Sequence, residues 1–151
     1  MHRADTAQPA AAAGSGLPID AHRDVILETV AKHPCVIVLG DTGCGKTTQL
    51  PQLLADAGHG RVCVTQPRRV AAITAARRVA EEQGTQVGDG VGYAVRFEHA
   101  CSEATRIKFV TDGVLLREAM VSPQVRARAP ALQCLAPSAA LRPRSSRAST
   151  R

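Results

Sequence analysis

Apolar positions along this chain fall into short blocks that alternate between two periods. Val36-Ile37-Val38-Leu39 is a continuous, largely β-branched run bounded by Pro34 and Gly40. That pattern predicts a strand buried on both faces, as in a parallel sheet. Val62 to Thr65 repeats it, and Val91 to Phe97 and Arg106 to Val110 predict two further strands. Between these runs the spacing lengthens to that of helices. Leu17 to His33 is expected as a helix opened by Pro18, capped by Asp20 and apolar along Val25, Ile26, Thr29 and Val30. Lys46 to Ala57 predicts a second helix, closed by Gly58-His59-Gly60. Arg68 to Gln83 predicts a third, with Pro67 suited to its first turn and Gly84 as its stop. Asp112 to Met120 predicts a short fourth, with Asp112 as its cap. Strands alternating with helices in this way predict a doubly wound α/β domain.

Beyond Met120 the periodicity ends. Pro123, Pro130, Pro137 and Pro143 recur too closely for long elements, and Ala, Arg and Ser fill the gaps. Residues 121–151 therefore read as a disordered tail, with a short helix about Ala131 to Leu135 as the one element it could hold. Residues 1–16 read as a disordered, Ala-rich leader, because the run Ala10 to Ala13 is too short for a signal-peptide core. No apolar run approaches the ~20 residues that a membrane helix needs. The folded part is thus expected over 17–120.

Charge sharpens this division. The chain has 151 residues and a net charge of +6. Six of its 19 Lys+Arg lie after Glu118, where there is no acid, while the remaining basic residues balance all 13 Asp+Glu. The excess is confined to the tail, so overall basicity says nothing about the domain's partners. Aromatic residues make up 2% of the chain, which leaves Ala, Val, Leu and Ile to build the core. The five cysteines, Cys35, Cys44, Cys63, Cys101 and Cys134, show neither metal-binding spacing nor a disulfide framework. Cys35 and Cys63 sit in strand-like runs and are expected to be buried thiols, which suits a reducing intracellular compartment.

The candidate chemistry lies in GDTGCGKTTQ, Gly40 to Gln49. Gly40, Gly45, Lys46 and Thr47 fit the pattern G-x-x-x-x-G-K-[ST], set between an expected strand and an expected helix. Glycines let the backbone curl so that several N–H groups face one point, a nest for phosphate oxygens. The following helix adds its N-terminal dipole. Lys46 supplies a mobile positive charge for β- and γ-phosphates, and the Thr47 hydroxyl can ligate Mg²⁺. The expected nucleotide-binding residues are Gly40, Asp41, Thr42, Gly43, Cys44, Gly45, Lys46, Thr47 and Thr48. Lys46 and Thr47 are the catalytic candidates, and Thr47 is the metal candidate.

The flanking stretches narrow the class. GDTGCGKTTQLPQ (Gly40 to Gln52), TQPRRVAA (Thr65 to Ala72), VGYAVRFE (Val91 to Glu98) and TRIKFVTDGVLLRE (Thr105 to Glu118) resemble, in order and spacing, successive motifs of the DEAH-box RNA helicases. The resemblance covers about Leu17 to Met120. It implies a P-loop NTPase, an incomplete RecA-like parallel sheet flanked by helices, with ATP and Mg²⁺ as cofactors, RNA as partner and ATP hydrolysis coupled to unwinding. It also implies that Arg68, Arg69, Thr111, Asp112 and Gly113 hold the RNA backbone and that Arg78 stacks on the adenine. Guanidinium forks at a helix start suit phosphate independently of any family. Asp112 would repel phosphate, so its expected part is to cap and orient the loop. Arg96 and Arg117 read as structural ion-pair residues.

Phosphoryl transfer also needs an acid for Mg²⁺ and a group that positions water. In the resembled family both come from an Asp-Glu-Ala-His motif soon after the last matching stretch. No Asp, Glu or His occurs from Ala119 to Arg151. The expectation is a fragment or misassembled product of a longer helicase, limited to binding ATP and RNA and inactive alone. A non-catalytic module whose tail arginines hold RNA is the alternative. Another P-loop enzyme, such as a small-molecule kinase, fits the second and last motifs poorly.

Overall fold

The computed structural model describes residues 16–121 and the backbone of 131–133; the leader to Ser15 and the rest of the tail lie outside the described residues. Val62–Gln66 (β1), Val91–Val95 (β2), Glu98–Ala100 (β3), Ile107–Thr111 (β4) and Ala131–Gln133 (β5) form one sheet in the order β3-β2-β4-β1-β5. Every pairing is parallel except β2 with β3. The helices are Arg23–Lys32 (α1), Gln49–Asp56 (α2), Arg69–Glu82 (α3) and Asp112–Val121 (α4), with a 3-10 turn over Pro18–His22 ahead of α1.

Period-2 alternation assigns the strand side chains to two faces. Val62, Val64, Val91, Tyr93, Val95, Ile107 and Phe109 join the larger core with residues of α1, α2 and α3. Cys63, Ala94 and Val110 lie on the other face against Val114 and Leu115 of α4. Small residues on α3 let that helix lie close to the sheet, where Ala72, Ala76, Val79 and Ala80 are at most 1% exposed. Phe109 is fully buried, and such a side chain contributes roughly 1.5–3 kcal/mol of burial free energy. Lys108 on β4 donates to both oxygens of Glu118 at 2.7 and 2.9 Å and so docks α4 on its face.

Several expectations are corrected. Val36 to Leu39 is not a strand. Ile37 and Leu39 are 80% and 89% exposed, and only Val38 packs on the core. An extended segment becomes a strand only through a neighbour that takes up its backbone hydrogen bonds, and none pairs with it among the described residues. Cys35, just before it, is therefore exposed rather than buried. The first helix is broken at His22, which takes the cap position of α1, so Asp20 is not its cap. Its inward face is Ile26, with Leu27 and Val30, whereas Val25 is 64% exposed. Pro67 lies just before the α3 cap, Arg68, rather than within the first turn. The run expected to continue to Phe97 turns back after Val95, and Arg96-Phe97 link β2 to the antiparallel β3. Phe97 takes φ +69 there, a conformation more often given to Gly or Asn. Ala131–Gln133 pairs in parallel with β1 instead of forming a helix.

Gly92 is required by close approach. A Cβ there would collide with the Ala100 carbonyl oxygen and come within 3.0 Å of Cys101 Sγ. The expected helix stops hold: Gly58 and Gly84 take φ +83 and +64, where the chain leaves α2 and α3.

Thiol chemistry reports this arrangement. Burial pushes the Cys63 thiol up to about 11, with Lys108 opposing and Glu118 adding to the shift, so little thiolate forms near neutral pH. Alkylation of the native protein at pH 8, mapped by peptide mass, should modify Cys35 before Cys63, and Cys63 only on unfolding. Rapid labelling of Cys63 in the native state would contradict the packing of α4 on β1 and β4.

Candidate functional site

The glycine-rich loop is shaped by its packing. Gly43 and Gly45 take φ +86 and +101, which an L side chain adopts only with strain. Gly45 also has no room, since a Cβ would come 2.9 Å from Ile19 Cγ2 and 3.1 Å from Leu17 Cδ1. The backbone of the 3-10 turn joins the loop directly, as Ile19 N donates to Cys44 O at 3.2 Å. Gly45 O accepts Thr48 N at 3.2 Å and Gln49 N at 2.7 Å. The first turn thus starts at Gly45 although regular α-helix begins at Gln49, three residues later than Lys46. Pro51 is the third residue of the regular helix α2, in its first turn, where proline is tolerated.

Among the described residues the N–H groups of Gly43, Gly45, Lys46 and Thr47 donate to no backbone acceptor. Lys46 Nζ bridges the loop, donating to Gly40 O and Asp41 O at 2.7 Å each and to Cys44 Sγ at 3.3 Å. A Cβ on Gly40 would come 3.0 Å from Cys44 Sγ and 3.7 Å from Lys46 Nζ, so this glycine keeps the interior of the loop open. Gly45 is buried, Lys46, Thr47 and Thr48 are half-buried, and Asp41, Thr42 and Gly43 are exposed. Beside the loop is a cavity of about 380 Å³, bounded by Ile19, His22 and Ile26 and by the loop backbone. The free N–H groups and the lysine suit phosphate. Thr47 offers one hard oxygen to a Mg²⁺ ion, whose remaining ligands are ordinarily waters, phosphates and carboxylates. No cluster of three His, Cys, Asp or Glu side chains with metal-binding geometry occurs among the described residues.

The second group of candidates gathers at one edge of the sheet. Gln66 is opposite Thr111 in the β1–β4 register, so the parallel strands end together. Arg68 and Arg69, at the start of α3, and Thr111, Asp112 and Gly113, at the start of α4, therefore leave neighbouring strand ends. Arg68, Arg69, Asp112 and Gly113 are exposed and Thr111 is half-buried. Asp112 is the first residue of α4 rather than the cap before it, and there a negative charge complements the helix dipole. At this edge Thr65 Oγ1 and Gln66 Nε2 are buried without a hydrogen-bond partner.

Further charged groups lie elsewhere among the described residues. Glu98 on β3 lies 3.7 Å from Arg69 and accepts the Tyr93 hydroxyl at 2.5 Å. Arg96 lies 4.7 Å from the centre of the Phe97 ring, and neither Arg96 nor Arg117 forms an ion pair among the described residues. Arg78 pairs with Glu82 one turn on and is 63% exposed. Glu82 also gathers Gln49 and Gln52, which sequence reading left unassigned because the contact joins residues about thirty positions apart.

The chain matches no family model. It is 54% identical over 112 residues to the probable ATP-dependent RNA helicase DHX35 of Homo sapiens. It is 50% identical over 113 residues to the pre-mRNA-splicing factor ATP-dependent RNA helicase DEAH10 of Arabidopsis thaliana. To the probable ATP-dependent RNA helicase DHR2 of Saccharomyces cerevisiae it is 44% identical over 115 residues. The matches take in 71 to 73% of this chain, which spans about 16% of the length of each of these relatives. No described helix is long and apolar enough to cross a membrane. The curated homologues that this chain resembles over about 70% of its length are DEAH-box ATP-dependent RNA helicases.

Proposed function

We propose that this chain is the nucleotide- and RNA-binding part of the first RecA-like domain of an ATP-dependent RNA helicase, working inside the cell. The observation that carries the reading is the loop itself: four free N–H groups around a lysine that spans it, beside glycines that tolerate no side chain. ATP phosphates would lie along Gly40 to Thr48. Lys46 would exchange its two carbonyl partners for phosphate oxygens, and Thr47 would give its hydroxyl to Mg²⁺, which neutralises charge on the phosphates. Arg78 would stack on the base. RNA phosphates would be met by Arg68 and Arg69 and by the backbone at Thr111 and Gly113, with Asp112 orienting that turn. Glu98 competes for Arg69, so Arg68, which forms no ion pair among the described residues, is the stronger phosphate contact.

Hydrolysis is a separate matter. The chain carries no Asp, Glu or His after Glu118, and P-loop chemistry draws its metal-holding acid and its water-positioning group from strands beyond the cradle. The reading for these 151 residues is therefore binding without turnover.

Binding of a fluorescent ATP analogue to the full chain should weaken about 10- to 100-fold in Lys46→Ala, the range for losing charge-assisted hydrogen bonds. Gly45→Ala should weaken it too, through backbone strain and collision with Ile19. RNA-stimulated ATP hydrolysis that Lys46→Ala abolishes would overturn the binding-only reading.

For RNA, the plot of log affinity against log salt should lose about one unit of slope in Arg68→Ala, as expected for one phosphate contact. An unchanged slope would remove Arg68 from the interface.

A further inference from the structure

Glu82 is a junction between two helices. Its Oε2 accepts Gln49 Nε2 at 2.8 Å and Gln52 Nε2 at 2.9 Å, and its Oε1 accepts Arg78 Nε at 2.8 Å. The glutamines stand on the first two turns of α2, which the cradle feeds, and Gln52 Nε2 also donates to Thr48 O at 2.9 Å. Arg78 and Glu82 stand on the last two turns of α3. A second strand of the network runs from Gln83 Nε2 to Gln52 Oε1 at 3.3 Å.

An exposed ion pair one helical turn apart is worth little by itself. Three donors from two helices on one carboxylate are a different arrangement. The Glu82 side chain is 23% exposed. Its burial alone would raise the pKa, but the hydrogen bonds from Gln52, Arg78 and Gln49 together outweigh that and hold the carboxyl below the usual range. The group is thus charged at neutral pH and fixes the guanidinium through Nε only. The Arg78 side chain stays 63% exposed. A guanidinium held at one edge can present its plane, which stacks on aromatic rings.

We propose that Glu82 is a positioning residue for nucleotide binding: it ties the Arg78 guanidinium to the helix that carries the phosphate cradle, so that Arg78 meets the base of a nucleotide whose phosphates lie at Lys46 and Thr47. This rests on the nucleotide-binding reading above. Through Gln49, Gln52 and Thr48 O the carboxylate sets the spacing between a base contact on α3 and a phosphate contact at the start of α2. The polyphosphate alone does not use that spacing, and the complete nucleotide does.

The test measures binding of ATP and of inorganic tripolyphosphate to the full chain by calorimetry, with thermal unfolding as a folding control. Glu82→Gln should weaken ATP roughly three- to fivefold, the worth of an exposed cation–ring contact, while leaving tripolyphosphate within about twofold. In an Arg78→Ala background Glu82→Gln should cause no further loss of ATP. Equal losses for both ligands, or additive losses for the two substitutions, would overturn the positioning role while the nucleotide-binding reading stands. A wild-type chain that binds neither ligand would overturn that reading and this proposal with it. Should Glu82→Gln unfold, Glu82→Asp, which keeps the charge but shortens its reach, is measured instead against the same outcomes.

Discussion

The register of β4 against its two neighbours is the constraint on which the remaining geometry depends. Ile107 is opposite Val62 on one side and Val91 on the other. A slip of one residue would exchange the two faces of β4. Lys108 would then point into the larger core and lose Glu118, and Phe109 would leave it. The same slip would separate Thr111 from Gln66 and so pull apart the two helix starts that carry Arg68, Arg69, Asp112 and Gly113. Core packing and the arrangement of the candidate RNA edge are therefore one requirement, enforced by a few fully buried side chains.

The phosphate cradle depends on a different support. Its leading segment, Val36 to Leu39, takes no part in the sheet, so the loop is not hung from a strand end. It is held instead by the 3-10 turn, through the Ile19 N–H to Cys44 O bond and through Leu17 and Ile19 packed against Gly45. The other side is anchored by α2, whose Leu50, Leu53 and Leu54 are buried in the core. The turn before α1 is accordingly part of the support of the candidate site although it holds none of its signature residues.

Much of this was legible in the residues, for identifiable reasons. β1, β4 and α3 were readable because their apolar periods report burial that the structure provides locally. The cradle was readable because its glycines are demanded by conformation and contact, which any chain making that turn must satisfy. Val36 to Leu39 misled because an apolar run records a wish for neighbours and not their presence. The β2–β3 turn was missed because Arg96-Phe97 lacks the Asn-Gly or Asp-Gly signal of a tight hairpin and instead holds Phe97 at φ +69. The Glu82 junction was invisible because its partners lie on separate helices, and nothing in local spacing encodes which exposed Gln will meet which exposed Glu.

Lys46 shows why holding a phosphate and cleaving one are distinct demands on such a loop. Its ammonium already has two carbonyl acceptors at 2.7 Å, so a phosphate replaces existing hydrogen bonds instead of adding new ones. The net gain is the difference between a charged and a neutral acceptor, less the cost of reopening the loop. The glycine backbone keeps that cost small by leaving the N–H groups unpaired in advance. Cleavage asks for more, because charge that develops on the transferring group must be met by groups fixed opposite the cradle. An arginine finger alone is worth ~10³–10⁵ in rate in such enzymes. Arg68 and Arg69 lie at the start of α3, and Glu98, 3.7 Å from Arg69, also accepts the Tyr93 hydroxyl. The described loop therefore offers contacts suited to ground-state phosphate, four free N–H groups and an ammonium, and these alone do not meet the charge that develops during cleavage.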